Sequence, residues 1–229
     1  MSNVSRLNVI FTFALRRNPC RLVGGMQSPY RHFCGGKCEL PGLPPEPRFV
    51  HIATLDLLDP SLAFLQIEGL SVLPLVIDTA EGTIAYSVTE MGGIALHAGL
   101  HSNGEPLLLG PLPREPMSVS PFTYEQYRAA ALVSAVGDES FLQISDQKAL
   151  ASLGEDYSQV GGAHRSDNGS SPYCANPACL GYPNHSMQLL ASLQTQLAPS
   201  ISLDYCPNDP ALLFFICGQC KSLAGEVAL

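Results

Sequence analysis

This chain has little charge and no long apolar run. Only 14% of its 229 residues are Asp, Glu, Lys or Arg. No apolar stretch approaches the ~20 residues that a membrane-spanning helix needs, which argues against a membrane partner. Basic clusters are missing from most of its length. Residues 49–229 carry five Lys/Arg against eighteen acids, a balance of −13. Nucleic-acid binding is excluded on that ground, because phosphate contacts need grouped cations. Catalytic signatures are missing too. Gly35-Gly36 and Gly161-Gly162 lack the residues that turn a glycine pair into a phosphate cradle, and no Gly-x-Ser-x-Gly elbow occurs. The acidic pairs Asp138-Glu139 and Glu155-Asp156 fall in polar turns and read as solvated surface.

What is present suits a strand-rich domain. Hydrophobic residues make up 46% of the chain, with 20 Gly and 19 Pro. That is enough for one sizeable core, with much loop and turn. Residues 1–48 carry seven Lys/Arg and two acids, +5, and the first 31 residues hold no acid at all. Leu7–Leu15 is apolar, but Arg16-Arg17 follow it, the reverse of a secretory signal. An Arg-rich, acid-free start is also the composition of a mitochondrial presequence. The preferred reading is that residues 1–31 are a disordered or optional extension and residues 32–229 one domain.

Residues 49–57, 62–67, 73–77 and 84–88 read as short strands separated by turn residues. Residues 102–121, with five prolines, read as a connector. A helix is expected from Thr123, capped reciprocally with Gln126, and a second from Asp146 as N-cap to Gly154. In 187–194, Leu189, Ala191 and Leu193 would face one side, and Gln188, Ser192 and Gln194 the other. Each half of the map runs Gly-Gly, loop, strand, strand, strand. The expected fold is therefore α+β, mainly antiparallel β. Two similar halves, about 32–110 and 155–229, are joined by a helical segment over about 111–154, and the C-terminal half is stapled by zinc.

The zinc expectation rests on Cys174-x4-Cys179 and Cys217-x2-Cys220, the second pair directly after the apolar run 212–216. Two close thiolates in a tight turn aim at one ion, and a second such pair completes a tetrahedron. One structural Zn2+ per chain is expected on these four residues. Paired ligands without an export signal point to a reducing compartment, the cytoplasm. Cys34 and Cys38 could form a second half-site with Cys20 or His32, although a fourth ligand is not evident. Cys206 reads as a small buried residue. His97-x3-His101 has helical ligand spacing, but Gly99 and Asn103-Gly104 favour a loop. His185 lies close enough to the first pair to support a thiolate from behind.

Gly35-Gly36-Lys37, Leu40-Pro41 and the strand from His51 to Leu57 resemble the opening of the YwqG-like family. Val160-Gly161-Gly162, 187–190 and 212–215 resemble that family's later elements. The cysteine quartet around Met187-Gln188-Leu189-Leu190 is similar to the C-terminal domain of programmed cell death protein 2 and its relatives. The chain differs from both in having no tryptophan. The resemblance implies a two-repeat β-rich fold without established enzymatic activity, related to dedicated binders of a nascent ribosomal protein. The functional expectation is a non-enzymatic cytoplasmic protein-binding module, chaperone-like or immunity-type, whose acidic body suits a basic protein client. The alternative is a metal-dependent hydrolase using His97 and His101 or the Cys34/Cys38 pair.

Overall fold

The computed structural model describes residues 11, 14–90, 92–97, 109, 111–136, 142–154, 157–162, 171–194, 196–202 and 211–228. Its strands are β1 (Cys20–Gly24), β2 (Phe33–Cys34), β3 (Phe49–Asp56), β4 (Val72–Asp78), β5 (Thr83–Val88), β6 (Ile94–Leu96), β7 (Glu115–Pro121), β8 (Ser158–Val160), β9 (Gln188–Leu193), β10 (Gln196–Ala198), β11 (Ile201–Ser202), β12 (Ala211–Ile216) and β13 (Leu223–Ala228). Eleven of them form one sheet in the order β4-β3-β2-β7-β1-β8-β9-β12-β13-β5-β6, and β10 pairs with β11. All pairings are antiparallel. The sheet curls so that β5 meets the free edge of β4. There the buried Tyr86 hydroxyl donates to Pro74 O at 2.8 Å and accepts from Val76 N–H at 3.2 Å. One phenol thereby satisfies two backbone groups on a strand edge that would otherwise be open.

The continuous apolar run of β12 follows from its place between β9 and β13. Leu212, Phe214 and Ile216 enter the main core on one face of the sheet. Leu213 and Phe215 enter a smaller core on the other face, with Met187, Ala224 and the cysteines. Both faces are buried, so both alternations are apolar. Burying a side chain of this size contributes roughly 1.5–3 kcal/mol.

Two helices, α1 (Tyr124–Val136) and α2 (Ile144–Ala151), pack through Ala129, Val133, Leu142 and Leu150. Thr123 and Gln126 form the expected reciprocal cap, with Gln126 Oε1 accepting from Thr123 N–H at 2.8 Å and Thr123 Oγ1 accepting from Gln126 N–H at 3.2 Å. Asp146 is not the cap of α2, which begins after Gln143. Its buried carboxylate is taken by Arg128 of α1 instead.

Four other expectations are corrected. Cys20–Gly24 is not part of a disordered extension but a central strand between β7 and β8, with Cys20 and Leu22 in the main core. The local signal for this strand is the alternation in Cys-Arg-Leu-Val, bracketed by Pro19 and Gly24-Gly25. The run at 62–67 is not a strand but lies in a 3-10 turn, Pro60–Leu65, whose Asp59 Oδ1 accepts from Ser61 N–H at 2.8 Å. Asp-Pro is a helix-start signal. The proline-rich connector contains β7, in which Pro116 still supplies its carbonyl to Gly25 N–H at 2.8 Å. In β9 the register shifts at Leu190, so Leu189 faces the smaller core while Ala191 and Leu193 face the main one. A bulge of this kind resets the period of two on which the face assignment rested.

Candidate metal centre

The second cysteine pair is placed by β12. Along that strand Leu213, Phe215 and then Cys217 point into the smaller core. The chain turns back at once, with Lys221 N–H donating to Cys217 O at 3.0 Å and Cys217 N–H to Ser222 O at 2.8 Å. Lys221 takes φ of 58°, the left-handed conformation that closes this turn. Its ammonium folds over the turn, donating to Gly218 O at 2.7 Å and lying 3.4 Å from the Phe11 ring centroid.

The first pair sits on the loop leading into β9. Met187 N–H donates to Pro172 O and Cys174 N–H to His185 O, both at 2.9 Å, so the two arms of the loop zip together. Asn176 then turns the chain, its Oδ1 accepting from Ala178 N–H at 2.9 Å and its backbone carbonyl from Cys179 N–H at 3.0 Å. The contact His185 makes to the pair is through its carbonyl.

The four Sγ atoms of Cys174, Cys179, Cys217 and Cys220 lie within 4.8 Å of one another. Cys174 and Cys220 are 3.5 Å apart, and Cys179 and Cys217 are 3.7 Å apart. Four thiolates at ~2.3 Å from one ion form a tetrahedron with edges of about 3.8 Å, so the quartet fits a metal of that geometry. These separations are far too long for disulfides, and all four are free thiols. Cys174, Cys179 and Cys217 are buried, while Cys220 is partly exposed. Burial pushes the Cys174 thiol up to about 12. Cys217 is also raised, chiefly because its S–H donates to Cys220. Cys220, which receives that donation and one from Ser222, is brought down to about 4. Protons therefore stay on part of the quartet unless a cation replaces them.

Among the described residues, no other group of three or more His, Cys, Asp or Glu brings its ligand atoms together. Cys34 and Cys38 do not join Cys20 or His32 in a second site. Cys20 donates to Ser61 O at 3.3 Å, and burial raises it to about 12. Cys34 approaches Glu115 O at 3.7 Å and is raised to about 11, again by burial. His32 is spoken for, its Nδ1 accepting from Asp56 N–H at 3.0 Å and its Nε2 donating to Asp59 at 2.9 Å. His97 Nε2 lies 2.7 Å from Ser87 Oγ. His101 and Cys206 lie outside the described residues.

Sequence reasoning missed the polar groups around the quartet. Ser222 Oγ is 3.0 Å from Cys220 Sγ, and Asn176 Nδ2 donates to the same hydroxyl at 3.0 Å. The position of Ser222 two residues after a ligand was the available signal. No described helix is long and apolar enough to cross a membrane. Comparison of the chain with family models, with curated proteins and with solved structures returns no match.

Proposed function

We propose that this chain is a non-enzymatic protein-binding module of the cytoplasm, with one structural zinc on Cys174, Cys179, Cys217 and Cys220. The observation that carries this reading is the closure of the quartet. Four thiols supply every position of a tetrahedron, beside Met187, Leu213, Phe215 and Ala224, and leave none for a substrate. The ion would neutralise the thiolates and fasten the loop before β9 to the turn between β12 and β13.

The same reading takes the fold as two similar halves of the YwqG-like kind. Its support is a set of matching registers. Cys34 pairs with Ala53 as Val160 pairs with Ala191. The bulges at Ile52 and Leu190 then match, their carbonyls accepting from Gly35 N–H at 2.8 Å and Gly161 N–H at 2.7 Å. On this correspondence β1 matches β7, and the halves begin earlier than residues 32 and 155. Asp78 stands where Cys217 stands in the other half, so the first half has a carboxylate and not a thiol there.

A cleft of about 340 Å3 between α1 and the β9–β12 surface offers a partner Phe122, Tyr127, Leu189 and Phe215, with Arg16 and Gln188 at its side. The partner class follows from the −13 balance of residues 49–229, which steers basic proteins.

Elemental analysis should give one zinc per purified chain. Partners captured from host lysate and identified by mass spectrometry should be basic, and should elute as salt screens fields beyond about 8 Å. A metal-free, fully folded protein overturns the zinc. Partners that are acidic, or that are indifferent to salt, overturn the client class.

A further inference from the structure

Four side chains run in single file from the quartet to a histidine just after β6. Ser222 Oγ is 3.0 Å from Cys220 Sγ, Ser87 Oγ is 2.9 Å from Ser222 Oγ, and His97 Nε2 is 2.7 Å from Ser87 Oγ. Ser222 is buried, and Ser87 lies on β5, which pairs with β13 just beyond Ser222. We propose that Ser222, Ser87 and His97 are a directed hydrogen-bond chain that orients Cys220 and strengthens its hold on the metal. The proposal rests on the zinc reading above.

The direction follows from valence. A metal-bound thiolate has no proton and can only accept. Ser222 must therefore give its one hydroxyl proton to Cys220. Its oxygen already accepts from Asn176 Nδ2, whose orientation is fixed because Asn176 Oδ1 accepts from Ala178 N–H. With its proton committed to sulfur, Ser222 accepts from Ser87 as well. Ser87, having given its proton, accepts from His97. The histidine must then carry a proton on Nε2, and when neutral it leaves Nδ1 bare. A charge on sulfur thus fixes a tautomer three hydrogen bonds away. In return, aligned donors stabilise the thiolate and hold its rotamer. Groups behind metal ligands typically change metal affinity 10–100-fold. Cys220 is the ligand that needs this support, because it is partly exposed while the other three are buried.

The test uses the full chain loaded with zinc. Nitrogen-15 NMR of the imidazoles, with His97 assigned from His97→Gln, should show a neutral ring protonated on Nε2. Ser222→Ala should still bind one zinc at saturation. Its dissociation constant, from competition with a chromogenic chelator, should rise about 10–100-fold. Ser87→Ala should release the His97 tautomer with a smaller rise. A zinc-loaded wild type whose His97 is protonated on Nδ1 overturns the chain and leaves the zinc standing. An unchanged dissociation constant in Ser222→Ala does the same. A wild type that takes up no zinc removes the reading on which the chain rests.

Discussion

His51 shows how one buried side chain sets a pH limit. Its Nδ1–H donates to Gly35 O at 2.7 Å, and its Nε2 accepts from Thr54 Oγ1 at 2.8 Å. The second bond needs the neutral ring, and burial, its largest influence, lowers the His51 pKa from 6.5 against the Gly35 bond, which favours the charged form. Below pH 6.5 the unfolded chain therefore binds a proton that the folded chain refuses. The stabilisation is complete above that value and is lost as pH falls towards the folded pKa, at up to about 1.4 kcal/mol per pH unit. Denaturant melts between pH 7.5 and 5 should show a shallower decline for His51→Gln than for the wild type. Taking the difference cancels any pH dependence of the metal. Parallel declines would mean that His51 is not the group responsible.

Among the elements, the glycine pairs are sensitive joints. Gly161 has φ of 71°, and a Cβ there would lie 2.6 Å from Leu15 O. For Gly35, at 66°, the nearest backbone oxygen would be 1.9 Å away. The left-handed conformation alone costs a substituted residue roughly 1–2 kcal/mol, and the clash adds to it. Gly35→Ala and Gly161→Ala should each lower stability by more than that amount in equilibrium unfolding, whereas a loss below about 0.5 kcal/mol would show that the turns can relax. These pairs were legible in the sequence, as were β3, β4, β5, β9, β12 and the Thr123 cap, because each is written in local chemistry. The quartet was legible for the same reason, through spacing within each pair. What was hidden depends on distant neighbours. Nothing near Cys20 announces that β7 and β8 will flank it, and nothing near His97 announces Ser222, which is far along the chain. The bulge at Leu190 was hidden because it appears only when β9 meets β12.

For the whole molecule, the quartet lies on the face of the sheet opposite the main core, so its loss should be regional. Cys217→Ser should expose Leu213 and Phe215 and unfold or aggregate the β9–β12–β13 region, seen as faster amide exchange there than in β3 and β4. Chelation of the wild type should give the same pattern. An unchanged melting profile with full metal content in Cys217→Ser would contradict a structural ion. The placement of the first strand has a further consequence. Cys20–Gly24 lies between Glu115–Pro121 and Ser158–Val160, so its two neighbours are translated long after it. During synthesis from the N-terminus, an early segment must wait, unpaired, until residues 115–121 have emerged, and its second edge stays open until about residue 160. The sheet closes late, and the contacts that close it have high sequence separation, which slows folding. A truncated product ending before β7 would present Leu22 and the edges of β2 and β3 to any chain nearby, so premature termination in this gene would yield an aggregating fragment rather than a working half.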